Sequence, residues 1–386
     1  MLGIRKERWT GSRRAAVCVG ALAIGLALVA TPALGGASSV WSISTSYNRG
    51  AADWLEGVSC ASTTSCKAVG YYKNSSGVDQ TLIESWNGSS WSLSTSPNNG
   101  THDNVLNAVS CVSATSCKAV GYYATSSQTQ TLVESWNGHV WSLASSPNRE
   151  SDRLNGVSCT SASSCEAVGS QSTGVLGGTL VELWNGTRWS VSSSPNEENF
   201  PVLTGVSCQS ANSCRAVGYY YDFGGVDRTL VESWNGHSWA VAISPNKGTG
   251  NNDLFGVSCK RSRCMAVGDY QNAGPLRTLA ESWNGGSWLL TSTPNVGTYP
   301  NSLMGVACVS TTSCTAVGEA VTMTSELTLI ESWNGVSWSL ESSPNRGTNG
   351  NDFQGVSCRG AASCTAVGYS DNVGGFGQRT LVESQG

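Results

Sequence analysis

A unit of about 50 residues occurs seven times along the 386-residue chain, and this repeat constrains the fold more than any other feature. Each unit carries a close pair of cysteines, and the first cysteines of successive units lie 48 to 51 residues apart. In one unit, segments with strand character cover residues 106–111, 117–123, 131–136 and 140–144. Asn137-Gly138, between the last two segments, is typical of a two-residue hairpin turn. Each unit is therefore expected to form four antiparallel strands.

Four strands in a repeat of this length predict one blade of a β-propeller, because such a sheet cannot bury its faces without stacking against neighbours. Seven units predict an all-β, seven-bladed β-propeller with four-stranded blades. The last unit stops after its third strand, and residues 39–48 read as an isolated fourth strand in which Trp41 aligns with Trp338. We expect this N-terminal strand to complete the last blade and close the ring, which removes an open sheet edge.

The cysteines predict a disulfide in every unit. Fourteen of them fall into seven pairs, six spaced C-x5-C and one spaced C-x4-C. A thiolate metal site needs more ligands than two cysteines, and the chain has only three histidines, so no metal site is expected. Close pairs of this kind are typical of proteins in an oxidising compartment. The predicted disulfides are Cys60–Cys66, Cys111–Cys117, Cys159–Cys165, Cys208–Cys214, Cys259–Cys264, Cys308–Cys314 and Cys358–Cys364.

Residues 1–37 have the layout of a secretory signal peptide, with basic residues that include Arg13 and Arg14 ahead of a long apolar run. Small residues predict cleavage near residue 33 or residue 37, which leaves residues 38–386 for the propeller. The adjacent arginines leave twin-arginine export open beside the general secretory route, and an uncleaved signal anchor is a third alternative. Each of these places the propeller outside the cytoplasm, as a secreted or extracellular domain.

The charge distribution excludes one class of partner. Without the signal segment, 17 basic and 25 acidic side chains remain, and the basic ones form no run or stripe. Nucleic-acid binding needs such a basic footprint, so no nucleic-acid partner is expected. No later segment is apolar over the length of a bilayer span, so we expect no membrane span after signal cleavage. We expect a monomer.

Two short motifs resemble those of known propeller families. The segment W-N-G-x-x-W-S at residues 86–92 is similar to the end of a kelch repeat, and Ala-Val-Gly-Tyr-Tyr at 119–123 is similar to the kelch glycine strand. That strand has one glycine where kelch has two. The W-N-G turn also resembles the Asp-box of sialidase-type propellers. The resemblance implies a propeller fold.

Kelch-type propellers include galactose oxidase, whose copper chemistry needs two histidines and two tyrosines to converge. The three histidines here are His102 in a loop and His139 and His237 in equivalent hairpin turns. They are not expected to meet, so no cofactor is expected.

Residues that recur in every unit are expected to be structural. Two tryptophans flank each hairpin turn, and we expect them to pack between blades; platforms for stacking sugars are the alternative. One glutamate recurs in each third strand, whereas a catalytic acid is needed only once or twice. We expect these carboxyls to be hydrogen-bonded structural groups, with backbone amides of a neighbouring strand as partners. They are Glu84, Glu134, Glu182, Glu232, Glu281, Glu331 and Glu383.

The loops differ by length. Second-to-third and fourth-to-first connections vary between units and, because the strands alternate in direction, emerge on one face of the ring, which we call the variable face. The constant face carries the short connections. The position before each first-strand glycine also varies around the expected channel. Candidate ligand-binding residues on the variable face are Tyr72, Tyr123, Tyr220, Tyr221, Tyr270, Asp103, Arg153, Asp253, Tyr299 and Asp352.

These features predict a binding or scaffold module that holds a glycan, a cell-envelope polymer or a protein ligand through the variable face. No G-x-S-x-G, H-E-x-x-H or P-loop motif occurs, so we do not expect an enzyme. The alternative is an extracellular carbohydrate-active hydrolase or lyase with a site at the channel mouth. A single site would concentrate unusual polar residues in a few blades, whereas a multivalent lectin would repeat its contacts in every blade.

Overall fold

A computed structural model describes residues 40–172, 177–195, 199–371 and 377–386, and the predicted signal peptide lies outside these residues. The described chain forms 28 strands, grouped into seven antiparallel sheets of four strands each. The first strands of consecutive blades contact one another around the ring, and the first strand of blade 7 contacts that of blade 1. The prediction of a seven-bladed all-β propeller is confirmed.

The blades are numbered in chain order from the first complete repeat. Blades 1 to 4 comprise β2 (Ala52–Ser62), β3 (Ser65–Lys73), β4 (Asp79–Trp86) and β5 (Trp91–Ser94); β6 (Asn104–Ser113), β7 (Ser116–Ala124), β8 (Thr129–Trp136) and β9 (Trp141–Leu143); β10 (Ser151–Ser161), β11 (Ser164–Ser172), β12 (Gly178–Trp184) and β13 (Trp189–Ser192); and β14 (Asn199–Ser210), β15 (Ser213–Tyr221), β16 (Asp227–Trp234) and β17 (Trp239–Val241).

Blade 7 takes its fourth strand from the start of the described chain. Blades 5 to 7 comprise β18 (Asn252–Lys260), β19 (Arg263–Tyr270), β20 (Arg277–Trp283) and β21 (Trp288–Thr291); β22 (Asn301–Ser310), β23 (Ser313–Val321), β24 (Glu326–Trp333) and β25 (Trp338–Leu340); and β26 (Asn351–Gly360), β27 (Ser363–Asp371), β28 (Gln378–Gln385) and β1 (Trp41–Ser44). The first two strands of each blade are longer than the sequence predicts, because the ladder continues past the cysteines to the hairpin turn.

The ring closes through pairing of the N-terminal strand with the last one, as predicted. β1 runs antiparallel to β28, with Trp41 opposite Gln385 and Ser44 opposite Val382. The chain that follows β1 stays attached to the same blade, because the Thr380 N–H donates to Asn48 at 3.0 Å and its hydroxyl donates to Ser46 at 2.8 Å. Closure thus depends on one short strand and the segment after it.

The hydrophobic core is divided among the interfaces between blades. One cluster, for example, combines Val69 and Ile83 of blade 1 with Leu106, Leu132 and Trp141 of blade 2. All five side chains are almost fully buried. Because each interface uses one face of two adjacent sheets, a blade cannot bury its core in isolation.

A glycine in the second strand of every blade allows a close approach to the first strand. A Cβ atom on Gly70 would lie 2.0 Å from the carbonyl oxygen of Trp54, and one on Gly169 would lie 1.9 Å from that of Arg153. The first strand carries a register shift at this point, between Leu55 and Gly57 in blade 1. Such a bulge needs a partner without a side chain. This explains the Ala-Val-Gly motif of each repeat.

All seven predicted disulfides form within the hairpins that join first and second strands. The Cα atoms of each pair are 3.9–4.0 Å apart. The serine before the first cysteine links neighbouring blades, since its hydroxyl accepts a hydrogen bond from the next blade's first-cysteine N–H. Ser59, for instance, accepts from Cys111 at 2.9 Å. Blade 6 has Ala307 at this position, so its interface with blade 7 lacks this bond.

The repeated glutamates are fully buried between blades, but their main partners differ from the prediction. Ser96 of blade 1 donates to Glu134 of blade 2 at 2.9 Å, and the same serine-to-glutamate bond recurs at four further interfaces. Within the described residues, Glu84 alone among these glutamates accepts a backbone amide, that of Tyr47. The other six connections have a proline where Tyr47 stands, and proline has no N–H to donate, so the serine one residue earlier supplies the hydrogen bond in most of them.

The two tryptophans of each pair have different roles. The second member is buried, with 2–6% of its surface exposed. The first member is half-buried in five of the six complete pairs. In blades 1 to 4 its indole nitrogen donates to a constant-face carbonyl, as from Trp136 to Ala114 at 3.0 Å. The Nζ of Lys67 of the preceding blade lies 4.0 Å above the Trp136 ring. Core packing is therefore confirmed for one tryptophan of each pair.

Among the described residues, the chain forms no helix long and apolar enough to cross a membrane.

Candidate functional site

The central channel is lined by the first strands of all seven blades. It encloses about 170 Å³ and is bordered by the glycine or alanine of each first strand and the valine after it, and on blades 1 to 4 and 7 also by the residue before it. The polar side chains that reach it are Glu56, Asn107, Asn155, Thr204 and Gln354.

Three of these polar side chains connect blades. Asn107 donates to the Leu154 carbonyl at 2.7 Å, Asn155 to that of Leu203 at 2.9 Å, and Thr204 to that of Leu254 at 2.7 Å. The variable residue before the first-strand glycine or alanine therefore has a structural role on blades 2 to 4.

Beyond the residues that line the channel, toward the variable face, the first two strands of each blade place one pair of residues opposite each other. The first-strand member directly precedes the buried Leu or Phe, and the second-strand member directly follows the Ala-Val-Gly glycine. We call these the mouth pairs. In blade order they are Trp54·Tyr71, Val105·Tyr122, Arg153·Ser170, Val202·Tyr219, Asp253·Asp269, Ser302·Glu319 and Asp352·Tyr369.

The mouth pairs of blades 1 and 2 contain three aromatic rings, and the pair of blade 3 carries the one cation of the set. Trp54 stacks on Tyr71 with ring centroids 4.7 Å apart. The Arg153 guanidinium lies 4.2 Å from the centre of the Tyr122 ring, across the interface between blades 2 and 3. Trp54, Tyr71, Tyr122 and Arg153 are all half-buried, so they are fixed by packing and still reach solvent.

The mouth pairs of blades 5 to 7 are acidic. Burial raises the pKa of Asp253 to about 8, and the nearby carboxylates of Asp269 and Asp227 act in the same direction. Burial also raises the pKa of Asp269 to about 7, although a 2.7 Å hydrogen bond from Ser302 opposes the rise. Desolvation is the main cause in both cases, so these groups hold their protons near neutral pH.

Two residue groups have the spacing to approach a metal ion. Oxygens of Glu319, Glu326 and Asp352 lie within 4.8 Å of one another, and such carboxylates suit a hard divalent cation. Glu166 lies equally close to Cys208 and Cys214, but these two sulfurs are joined in a disulfide and supply no thiolate ligand.

Three of the predicted site residues lie in the mouth pairs: Arg153, Asp253 and Asp352. Asp103 lies close enough to raise the pKa of Tyr122, although burial is the larger cause, and it accepts the Asp79 N–H at 3.0 Å. Asp352 is 3% exposed and accepts a bond from the Gln354 amide.

The predicted tyrosines lie elsewhere on the variable face. Four of them, one residue beyond the mouth position, pack partly against the clusters between blades. These are Tyr72, Tyr123, Tyr220 and Tyr270. Tyr123 also donates to Gln130, and the Lys247 ammonium lies 4.4 Å over the Tyr270 ring. Tyr221, at the end of β15, and Tyr299, in the loop before β22, are each 40% exposed.

Trp54, Asp269 and Glu319 reach the mouth without having been singled out from the sequence. Their positions in the repeat identify them: each either precedes the buried first-strand Leu or follows the second-strand glycine. This rule needs the strand register, which brings the two positions opposite each other.

Comparison with solved structures identifies propellers of the same fold. One, YCF48 bound to a D1 peptide, matches with a TM-score of 0.54 at 14% identity, covering 89% of this chain and 99% of that one. Another, a PL25 ulvan lyase, matches with a TM-score of 0.56 at 9% identity, covering 85% and 94%. Identities this low show the fold alone. No protein-family model matches the sequence, and no curated protein sequence matches it significantly.

Proposed function

We propose that this chain is an extracytoplasmic binding module that takes one ligand at the mouth of its channel. The observation that carries the proposal is the asymmetry of the mouth pairs. Arg153 occurs only on blade 3, carboxyls occur only on blades 5 to 7, and aromatic rings occur on blades 1, 2, 4 and 7. The cysteine, tryptophan and glutamate positions of the repeat are nearly uniform by comparison. A site that departs from sevenfold symmetry fits one ligand per ring better than seven.

The location outside the cytoplasm is supported by the disulfides. Seven of them in one domain are typical of an oxidising compartment. Resistance to local opening is useful there, since a binding protein exposed to proteases must keep its loops folded. The predicted signal peptide supplies the export route in this proposal. The ligand is then a glycan, an envelope polymer or a protein of the cell exterior.

The test is the stoichiometry of binding. The purified protein is screened against a glycan array and against cell-envelope fractions, and calorimetry measures the number of ligands per chain for each hit. One ligand per chain, lost in Trp54→Ala and retained in Trp136→Phe on the constant face, supports the proposal. About seven ligands per chain, or binding that depends on the constant-face tryptophans, would contradict it.

A carbohydrate-active lyase or hydrolase at the same mouth is the second candidate. The specific observation in its favour is the pair Asp253 and Asp269, because carboxyls that hold protons near neutral pH are suited to general acid catalysis. Tyr219 lies close enough to Asp253 for that charge to raise its pKa further, beyond the effect of burial. Release of reducing ends or of unsaturated sugars from any glycan that binds, lost in Asp253→Asn, would favour this candidate.

A further inference from the structure

We infer that the ligand of the mouth is an acidic glycan whose carboxylate is bound by Arg153 while a sugar ring packs on the neighbouring aromatic side chains. This inference rests on the proposed function, since it names the ligand class of the same site. The Arg153 side chain is held in place by packing, and its guanidinium N–H groups remain available to a ligand.

Arg153 makes three contacts that do not use its guanidinium N–H groups, and the contact with Tyr122 positions the guanidinium itself. Its guanidinium stacks on Tyr122 at 4.2 Å, its backbone pairs with Ser170, and its carbonyl oxygen lies against Gly169. Within the described part of the chain, the guanidinium donates no hydrogen bond and forms no ion pair. Its planar set of donors is therefore fixed in orientation and free for a ligand.

A guanidinium with free donors selects an anion of matching shape. Two parallel N–H groups fit the two oxygens of a carboxylate, and such charge-assisted bonds are stronger than neutral ones. Three acids lie near Tyr122: Asp79 pairs with Lys73 at 2.6 Å, Asp103 accepts the Asp79 N–H, and Glu56 lines the channel. They do not neutralise the arginine through direct contact.

The aromatic neighbours favour a sugar as the carrier of that carboxylate. Trp54 and Tyr71 form a stacked pair on blade 1, and Tyr122 of blade 2 lies between that pair and Arg153 in ring order. Large, rigid rings supply apolar contact area for the C–H face of a pyranose at little cost in conformational entropy. An anion subsite next to an aromatic surface matches the two features of a uronate, which are its carboxylate and the C–H face of its ring.

Two of the four mouth-pair carboxyls, those of Asp253 and Asp269, are compatible with an acidic ligand below neutral pH. Burial raises the pKa of Asp253 to about 8 and of Asp269 to about 7, so both are largely protonated in mildly acidic solution. A protonated carboxyl donates an O–H bond to a sugar hydroxyl and does not repel a uronate.

The test is calorimetric titration of the purified protein with four probes: a galacturonate hexamer, a neutral glucan hexamer, a glucosamine hexamer and a hexapeptide of glutamate. The inference predicts that the galacturonate hexamer binds one per chain and more tightly than the other three. Arg153→Gln should weaken this binding about 10- to 100-fold, the range for loss of charge-assisted bonds. Arg153→Lys should give a smaller loss, because lysine keeps the charge but lacks the planar fork.

Arg188→Gln is the matched control, because it removes the same charge from an exposed turn of the constant face. It should leave binding unchanged, and thermal unfolding of each variant checks that the fold is intact. Equal or tighter binding of the neutral, cationic or peptide probe would overturn the acidic-glycan inference and leave the proposed binding function standing. If the galacturonate hexamer fails to bind, the inference is wrong; if envelope fractions also fail to bind, the proposed function fails with it.

Discussion

The indole nitrogen of Trp41 donates a 2.9 Å hydrogen bond to the carboxylate of Glu341, joining two residues 300 positions apart. Trp41 belongs to the strand that closes the ring, and Glu341 follows the last strand of the neighbouring blade 6. The equivalent tryptophans of the other blades, within the described residues, have no partner for this nitrogen. The closing strand is thus fixed by one bond that the other fourth strands lack.

Glu341→Ala should therefore destabilise the ring at its closure. A hydrogen bond to a charged acceptor contributes about 1.5–3 kcal/mol, so the free energy of unfolding should fall by an amount of this order. Urea unfolding followed by tryptophan fluorescence measures it. Ser192→Ala is the matched control, since Ser192 holds the equivalent position in blade 3 and touches no indole nitrogen. Equal losses in the two variants would contradict a special role for the Trp41–Glu341 bond.

Ala307→Ser should stabilise the protein. Six serines accept the N–H of a first cysteine from the next blade at 2.9–3.0 Å, and a serine at position 307 would supply the missing bond to Cys358. A net gain of about 0.5–1.5 kcal/mol is expected for one neutral hydrogen bond. The midpoint of urea unfolding should rise in this variant and fall in Ser258→Ala. A lower midpoint for Ala307→Ser would show that the hydroxyl does not fit.

Stability should fall as pH rises from about 5 to about 9. Burial raises the pKa of the seven interface glutamates to about 7 or about 8, from 4.5. In that range the folded state holds protons that the unfolded chain has released, so unfolding becomes more favourable as pH increases. Melting temperatures between pH 5 and pH 9 check this. A flat or rising profile would contradict it.

Glu331 offers a sharper version of the same test. Neither of its carboxyl oxygens has a hydrogen-bond partner among the described residues, because blade 5 has Thr293 where other blades have the donating serine. Glu331→Gln removes one titrating group and should reduce the pH dependence of the melting temperature. Thr293→Ser should restore the serine bond and raise stability at pH 8. If both variants retain the wild-type profile, the glutamates do not govern it.

Binding of the galacturonate hexamer should be tighter at pH 5.5 than at pH 8.5. Asp253 and Asp269 lose their negative charge on protonation, with pKa values raised to about 8 and about 7 by burial, while a uronate stays ionised at both pH values. Titrations at the two pH values measure the difference, and Asp253→Asn should reduce it. Tighter binding at pH 8.5 would point to a cationic ligand in contact with these carboxyls.

The fold could be predicted in detail because its signals are local and repeated. The cysteine pairs, the Asn-Gly turns and the isolated strand around Trp41 each have a direct structural meaning, and the structure has the seven blades, the disulfides and the closure that they indicate. The partner of Glu134 could not be predicted, because Ser96 reaches it across a blade interface and not along a strand.

The site residues were harder to predict than the fold, because strand geometry decides which side chains lie at the mouth. Tyr122 and Tyr123 are neighbours in sequence, yet the first stacks under Arg153 at the mouth and the second packs against a core cluster. Side chains alternate between the faces of a strand, and the bulge between Leu106 and Ala108 changes which residues lie opposite each other. Sequence alone does not reveal that register.

The most direct test of a single site at the mouth is a crystal structure of the protein with the galacturonate hexamer, at a concentration well above its dissociation constant. The account predicts one bound oligosaccharide per ring, with a carboxylate in contact with Arg153 and a sugar ring against Trp54 or Tyr122. Oligosaccharide bound at the constant-face tryptophans, repeated from blade to blade, would contradict it.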